Sequence, residues 1–144
     1  MANVTKNEMQ IVVFSLGQAK YGGDITRIQE IIKLPEVTSL PGTADYILGI
    51  INLRGNIVPI IELNKKLGFS TSERTDETRV IVVELSGKRF GLIVDEVSEV
   101  VKVPFEAVNA TNSVDYGIQV KYILGLAKLD EHLLILLDME KIVG

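Results

Sequence analysis

The sequence predicts an all-β fold built from two related barrels, and three observations support this. The chain of 144 residues is 47% hydrophobic but only 6% aromatic and has no Trp, so its apolar side chains are mostly those of Ile, Val and Leu, which favour strands buried on one face. Its apolar runs are short and are separated by turns that contain Gly, the pattern of antiparallel hairpins. The second half of the chain also repeats the pattern of the first half.

The first half of the chain is predicted to consist of short strands joined by turns. Pro35 ends the strand before it because proline donates no backbone hydrogen bond. A helix of one or two turns is predicted at 62–67, closed by Gly68 at its C-terminal end. In order, the other elements are a strand at 9–16, a turn at 17–18, a return strand from 19, a helical turn or bend at 24–27, a strand at 28–34, a loop at 37–44, a helical turn at 45–48 and a hairpin at 49–63.

The internal repeat is offset by 69 residues over its first part and by 76 residues over its second part. The second copy therefore has a longer connection at 105–121. Each copy has about 65 residues, which is near the lower size limit for a stable domain, so we expect the copies to bury an apolar face against each other and to leave a groove between them. The matching segments are 21–22 with 90–91, 30–35 with 99–104, and 46–50 with 122–126.

The repeat also predicts the domain organisation. We predict a single domain over 1–144, with a first barrel subdomain at 9–69, a polar linker at 70–77 and a second barrel subdomain at 78–144. The linker is nearly free of apolar residues, so it is expected to be solvated. An exchange of terminal strands between the two subdomains is left open.

The composition argues against several classes of function. The chain has no Cys and a single His, which excludes disulfides, thiolate chemistry and sites built on several imidazoles. Its net charge of −4 argues against an electrostatic attachment to nucleic acid or anionic lipid. No apolar run approaches the ~18–20 residues that cross a bilayer, and the polar N-terminus has no apolar signal region. We therefore expect a cytoplasmic protein.

No constellation of residues supports an enzyme, a metal site or a cofactor. The carboxylates at 24, 30, 95, 96 and 99 could be interpreted as an acid–base pair, but no nucleophile or metal-ligand pattern accompanies them. Strand alternation predicts that Glu30 and Glu99 face the solvent at matching positions of the repeat. His132 is predicted to be a surface residue at a hairpin tip. We expect a non-catalytic protein without a cofactor.

The hairpin at 49–63 is the strongest candidate for a functional surface. Its polar turn carries Arg54 between two apolar arms. Pro59 in the second arm donates no ladder hydrogen bond, which predicts an edge strand or an N–H position directed away from a neighbour. The second copy has Lys-Leu-Asp-Glu-His at 128–132 in place of this turn, so the charge changes while the arms stay apolar. The turn is either an ordinary solvated loop or one specialised for a partner.

Several motifs together carry a family resemblance. They are Tyr21-Gly22-x-Asp24-Ile25, Gln29-Glu30-Ile31, Gly-Ile-Ile-Asn-Leu-Arg-Gly at 49–55, Val58-Pro59-Ile60, Gly-Leu-Ile-Val-Asp-Glu-Val at 91–97, and Leu-Ile-Leu-Leu-Asp at 134–138. From about residue 11 to the C-terminus, the chain resembles the bacterial chemotaxis coupling proteins of the CheW family. Gly23 departs from the apolar residue that usually follows Tyr-Gly in this family, which is expected to loosen a barrel strand locally.

The resemblance implies two five-stranded, SH3-like β-barrels packed around a shared apolar interface. It also implies a non-catalytic adaptor, recruited to membrane receptor arrays, that joins the cytoplasmic tip of a transmembrane chemoreceptor to the regulatory domain of the chemotaxis histidine kinase. The alternative is an SH3-like barrel that binds another partner, such as a peptide or a nucleic acid.

The resemblance implies two sets of binding residues. The receptor-binding set is Ile28, Glu30, Gly49, Asn52, Leu53, Arg54, Gly55 and Val97, of which Ile28 and Val97 are expected to line the groove between the barrels. The kinase-binding set is Val37, Thr38, Leu40, Pro41 and Ile47.

Overall fold

A computed structural model describes residues 7–109, 118–129 and 132–143. Within this part of the chain, eleven strands form two sheets, accompanied by two short helices, so the all-β prediction is confirmed. The strands are β1 (Glu8–Leu16), β2 (Ala19–Asp24), β3 (Ile28–Lys33), β4 (Ile47–Leu53), β5 (Asn56–Glu62), β6 (Arg79–Leu85), β7 (Lys88–Val94), β8 (Glu96–Pro104), β9 (Val108–Asn109), β10 (Ile123–Leu129) and β11 (His132–Leu137). The helices are α1 (Leu63–Lys66) and α2 (Met139–Val143), and 3-10 turns occur at Ile25–Arg27, Phe105–Ala107 and Val120–Tyr122.

Three predicted features lie outside this description. Residues 110–117 include much of the longer connection in the second copy, and residues 130–131 form the centre of its predicted hairpin turn. The side chain of His132 is also outside the description, although its backbone begins β11.

The two sheets have the same strand order once the repeat is taken into account. Sheet A has the order β8-β1-β2-β11-β10-β9, and sheet B has the order β3-β6-β7-β5-β4. Each strand of sheet B corresponds through the repeat to the strand at the same place in sheet A. The β1–β2 hairpin comes from the first half of the chain but pairs with strands of the second half in sheet A. The β6–β7 hairpin comes from the second half but pairs with strands of the first half in sheet B. The predicted division at 9–69 and 78–144 therefore does not follow the sheets.

The repeated aromatic–Gly motif reflects close packing inside each sheet. Gly22 in β2 and Gly91 in β7 occupy matching central strands. A Cβ atom on Gly91 would lie 2.6 Å from Cδ1 of Ile60, and one on Gly22 would collide with Cγ2 of Ile11. Because interiors are close-packed, the buried side chains of Ile60 and Ile11 would have to shift to accept either added side chain. The motif at these two positions is therefore part of the framework.

Apolar side chains form an interior cluster in each sheet and a third cluster shared between the sheets, here named the central cluster. Fully buried members of the central cluster come from both sheets: Phe14 and Leu137 from sheet A, and Ile81 and Leu92 from sheet B. Each such side chain stabilises the fold by about 1.5–3 kcal/mol through burial. The predicted apolar interface between the two repeat-related units is confirmed. The interior clusters contain Ile11, Val13, Leu134 and Leu136 in sheet A, and Val58, Ile60, Val80 and Val82 in sheet B.

Helix α2 fills the space beside the residue that departs from the family pattern. A Cβ atom on Gly23 would collide with Cε of Met139, whose side chain is buried against it. An ion pair between Arg27 and Glu140 also fixes α2 to the 3-10 turn after β2. The expected loosening of the strand is not observed, since Gly23 is buried and pairs with Val12.

Two local predictions differ from the structure. The helical turn predicted at 45–48 is only a turn at 45–46, because β4 already begins at Ile47, which pairs with Ile61. Of the two alternatives predicted for the strand that carries Pro59, only the edge strand is excluded, because β5 lies between β4 and β7. Its missing N–H is tolerated because the pairing of β5 with β7 begins one residue later, at Ile60.

The linker at 70–77 is exposed along most of its length but is attached to the sheets at two points. The hydroxyl of Ser72 donates to Oδ2 of Asp95 at 2.9 Å, and Nη2 of Arg74 donates to Oε1 of Glu62 at 2.5 Å. Glu62 is only 6% exposed, so Arg74 supplies the opposite charge that a buried carboxylate requires. The linker is therefore less free than its composition predicts.

Candidate functional site

The turn between β4 and β5 holds its residues in a conformation suited to a tight hairpin. Arg54 has φ of 51° and Gly55 has φ of 86°, and two successive positive φ angles are typical of a two-residue type I′ turn. The amide N–H of Gly55 donates to Oδ1 of Asn52 at 2.8 Å, which fixes the turn from within. The predicted hairpin is thus present, and Arg54 is at its tip.

Arg54 and Glu30 form a bidentate ion pair across the two edges of sheet B. Nη1 of Arg54 lies 2.5 Å from Oε2 of Glu30, and Nη2 lies 2.7 Å from Oε1. Glu30 belongs to β3, Arg54 follows β4, and these are the two edge strands of the sheet. The pair therefore joins the edges and closes the sheet into a barrel at this end. Two parallel N–H···O bonds fix the orientation of the guanidinium as well as its position.

The environment of Glu30 differs from the prediction that it faces the solvent. In β3 the partly buried side chains alternate with exposed ones, and Glu30 lies on the same face as Ile28 and Ile32, with its side chain 23% exposed. Hydrogen bonds from Arg54 hold the pKa of the Glu30 carboxyl below its ordinary value of 4.5, and the charges of Arg54 and Arg89 act in the same direction. Glu99, at the matching position of sheet A, is exposed as predicted.

Arg54 retains donors for a further ligand. A guanidinium carries five N–H groups, and the ion pair with Glu30 uses one on Nη1 and one on Nη2. The Arg54 side chain is 68% exposed. Glu30 thus orients a group whose outer donors can bind a carboxylate or carbonyl on another molecule.

Gly49, a predicted receptor-binding residue, is buried and acts in the framework. A Cβ atom on Gly49 would lie 2.8 Å from the carbonyl carbon of Thr38. Thr38 and Ile50 exchange two backbone hydrogen bonds of 2.9 Å each, which attach the loop after β3 to the free edge of β4. The absence of a side chain at Gly49 is what lets this loop approach.

The predicted kinase-binding residues lie on this loop and at the start of β4. Thr38 is exposed at the edge of sheet B, and Leu40 and Pro41 project beyond it, with Leu40 40% exposed. Val37 is half-buried against the interior cluster of sheet B, and Ile47 is half-buried where β4 begins. The structure thus brings these five residues to one edge of sheet B.

The two residues predicted to line the groove lie one on each sheet. Ile28 begins β3 of sheet B, and Val97 lies in β8 of sheet A, at the matching position of the repeat. Both are half-buried and pack against the central cluster. A groove between the barrels requires this arrangement. Of the remaining receptor-binding set, Asn52, Arg54 and Gly55 are exposed, whereas Leu53 packs against the interior cluster of sheet B.

Comparison with known proteins gives the family. Residues 10–144 match the CheW-like domain. The chain belongs to the CheW family. It is 37% identical over 135 residues to the chemotaxis protein CheW of Klebsiella aerogenes, covering 94% of this chain and 81% of that protein. It is 35% identical over 143 residues to the chemotaxis protein CheW of Treponema pallidum, covering 96% and 84% respectively.

A solved CheW-family structure has the same fold. The crystal structure of the scaffolding protein TtCheW from Thermoanaerobacter tengcongensis superimposes with a TM-score of 0.88 at 36% identity, covering 94% of this chain and 88% of that chain. The description of that relative as a scaffolding protein agrees with the prediction of a non-catalytic protein. The roles of individual residues in this CheW-family chain stay predictions.

Sequence reasoning missed the role of Asp95. Its carboxylate accepts hydrogen bonds from the Gly17 amide at 2.7 Å, from the Ser72 hydroxyl at 2.9 Å and from the Asn64 side-chain amide at 3.3 Å. These groups belong to the β1–β2 turn, the linker and α1, so Asp95 joins sheet A to the end of β7 in sheet B. The position of Asp95 at the end of the Gly-Leu-Ile-Val-Asp motif marks it in the sequence, but its hydrogen-bond partners lie far away in the chain and carry no matching signal.

Membrane-spanning helices and metal-binding clusters are both absent from the residues that the structure describes. None of the helices there is long and apolar enough to cross a membrane. The same residues contain no group of three or more His, Cys, Asp or Glu side chains placed to hold a metal ion.

Proposed function

We propose that this CheW-family protein is a non-catalytic scaffold that couples transmembrane chemoreceptors to the chemotaxis histidine kinase. The observation that carries the proposal is the Arg54–Glu30 pair, which holds an exposed guanidinium on a rigid turn at the end of sheet B. The names of the similar proteins, chemotaxis protein CheW and scaffolding protein TtCheW, support the same role.

The receptor tip would contact the hairpin and the groove together. A helical segment placed between the sheets can bury apolar side chains against Ile28 and Val97, in the manner of helix-in-groove recognition. Arg54 can donate to a carboxylate or a helix-terminal carbonyl at the mouth of the groove. Burial in the groove would supply most of the affinity, and Arg54 would contribute orientation and specificity.

The kinase would contact the free edge of β4 in the same sheet. The loop that carries Leu40 and Pro41 is attached to β4 through Thr38 and Ile50, and β4 leads directly into the turn that carries Arg54. One strand thus connects the two proposed contact surfaces. A receptor that prefers one conformation of the kinase can bias it through this strand, because linked binding equilibria affect each other reciprocally. The protein would act in the cytoplasm and be recruited to membrane receptor arrays.

The experiment measures binding of the purified chain to a chemoreceptor cytoplasmic fragment and, separately, to the kinase regulatory domain. Arg54→Glu should weaken receptor binding by about tenfold or more, since reversing a charge at a matched contact is costly, and should leave kinase binding unchanged. Leu40→Asp should have the opposite selectivity. Lys128→Glu, which reverses an exposed charge in the matching hairpin of sheet A, is the control and should change neither interaction.

The proposal depends on each variant losing binding to one partner and keeping binding to the other. Full receptor binding by Arg54→Glu would remove the hairpin from the receptor surface. If the unaltered chain binds neither partner, the scaffold role itself is refuted.

A further inference from the structure

A cavity of about 360 Å³ lies between the parallel strands β5 and β7, at the same end of sheet B as the Arg54 turn. We name it the wedge cavity. The two strands pair from Ile60 opposite Gly91 onwards, and the cavity is formed by the residues that precede this point. Its lining consists of Asn56, Ile57, Pro59, Gly87, Lys88, Arg89 and Phe90.

The internal repeat shows why pairing stops short in sheet B. In sheet A the matching strands β11 and β2 pair one residue earlier, at Ile135 opposite Tyr21. The residue that matches Ile135 in sheet B is Pro59, which has no N–H to donate to a neighbouring strand. Pro59 therefore opens a space that the shared fold does not require.

The lining of the wedge cavity combines apolar surface with positive charge. Ile57 is 61% exposed, a large value for an isoleucine, and lies with Pro59 and Phe90 on the apolar part of the lining. Lys88 and Arg89 contribute two cations, and the lining contains no carboxylate. The Nε of Arg89 is buried and has no hydrogen-bond partner among the described residues. In a chain of net charge −4, this is a local surface that favours an anion.

The wedge cavity is continuous with the proposed receptor surface. Asn56 and Ile57 of the lining directly follow the turn that carries Arg54, and the charge of Arg89 acts on Glu30, the partner of Arg54. Glu30 accepts two hydrogen bonds from Arg54, while Nε of Arg89 has no hydrogen-bond partner among the described residues. An additional carboxylate from a bound molecule would complete this arrangement.

We propose that the wedge cavity receives an acidic side chain flanked by apolar side chains from the chemoreceptor's cytoplasmic tip. Lys88 and Arg89 bind the carboxylate, and Ile57, Pro59 and Phe90 contact the apolar neighbours. The volume is at the lower end of the range for ligand sites, which suits one or two side chains rather than a whole element. This inference rests on the proposed function and names a second contact of the same interface.

The test is a calorimetric titration of the full chain with a chemoreceptor cytoplasmic fragment at low and at high salt. Lys88→Gln and Arg89→Gln should each weaken binding by about fivefold or more at low salt, and the loss should shrink at high salt because the contact is charged. Pro59→Ile, which installs the residue found in sheet A, should also weaken binding by extending the strand pairing across the cavity. Lys20→Gln, at the position in sheet A that matches Arg89, is the control and should bind normally.

The possible outcomes separate this inference from the proposed function. Urea unfolding of each variant shows whether a loss of binding is a loss of fold, and Lys88→Gln changes only an exposed side chain. If the unaltered chain binds the fragment and the Lys88 and Arg89 variants match it within about twofold, a change below ~0.4 kcal/mol, the wedge cavity is not a receptor contact and the scaffold role stands. If these variants bind the receptor fragment normally and lose only kinase binding, the wedge cavity is a kinase contact and the proposed occupant is wrong. If the unaltered chain does not bind the fragment, both proposals fail.

Discussion

Replacing Asp95 with alanine tests whether one carboxylate holds the two sheets together. The substitution removes the hydrogen bonds to the Gly17 amide, the Ser72 hydroxyl and the Asn64 amide, of 2.7, 2.9 and 3.3 Å. It leaves the backbone bond from the Asp95 amide to the Ser15 carbonyl in place. A hydrogen bond contributes about 0.5–1.5 kcal/mol net, and the site is only partly buried, so the three bonds together should contribute about 2–3 kcal/mol.

Urea unfolding measures this contribution as a free energy, and thermal unfolding measures it as a melting temperature, both followed by circular dichroism. For a chain of this size a loss of 1 kcal/mol lowers the melting temperature by about 2–4 °C, so Asp95→Ala should melt roughly 5–10 °C below the unaltered protein. Asp95→Asn keeps one carbonyl oxygen as an acceptor and should lose less. Asp45→Ala, at an exposed turn residue, is the matched control and should be nearly neutral. A loss below about 0.5 kcal/mol for Asp95→Ala would show that the three contacts do not couple the sheets.

Two other predictions concern the ion pair and helix α2. Because the folded-state pKa of Glu30 lies below 4.5, the ion pair contributes fully to stability above pH 4.5, and this contribution is lost as pH falls through the folded pKa. The difference in unfolding free energy between the unaltered protein and Glu30→Gln should therefore shrink from pH 7 to pH 3. A difference that does not depend on pH would contradict the assignment. Gly23→Ala should destabilise the protein by no more than about 1 kcal/mol, because its Cβ would displace only the flexible end of the buried Met139 side chain. In the background of Met139→Ala, Gly23→Ala should cost much less, and equal costs in the two backgrounds of this double-mutant cycle would show that the residues are not coupled.

Most of the strands could be predicted from the sequence because they depend on local patterns. Alternating apolar residues, Gly-containing turns and Pro35 define β1, β2, β3 and the hairpin that carries Arg54 within one or two residues. Gly68 closes α1 as predicted, with φ of 95°. The start of β4 was missed because its first residues pair only with the far end of β5, which the short window around 45–48 does not contain.

The assignment of hairpins to sheets could not be predicted from the same patterns. The two copies have similar sequence patterns, so the patterns do not distinguish a hairpin that completes its own unit from one that completes the other unit. Local alternation is satisfied equally in both arrangements, so the choice depends on long-range pairing and on the connections between strands. This is why the repeat predicts two related units while the boundaries at 9–69 and 78–144 do not follow the sheets.

The chemistry of the candidate site was only partly predictable for a related reason. Arg54 stands out in the sequence because the second copy lacks it. Its partner Glu30 lies 24 residues earlier on the opposite edge of the sheet, and the regular alternation of β3 places that carboxylate on the face of Ile28 and Ile32. Arg89 and Asp95 carry no local signal of their partners, since each acts on a group brought near only by the folded sheets.

Comparing the two copies of the repeat distinguishes residues that the fold requires from residues that could bind a partner, which the motif at 49–55 alone does not do. Gly49 belongs to the same Gly-to-Gly motif as Arg54, but its counterpart Gly125 shows the same close approach, with a Cβ position only 3.0 Å from the carbonyl oxygen of Asn109. Both sheets therefore need glycine at this place to accept the neighbouring chain segment, so Gly49 is explained by the fold alone. Arg54 and Pro59 have no such counterparts in sheet A, where the sequence places Asp and Ile. A substitution at Gly49 should consequently impair stability and both partner interactions together, whereas substitutions at Arg54 and Pro59 should impair receptor binding in a protein that remains folded.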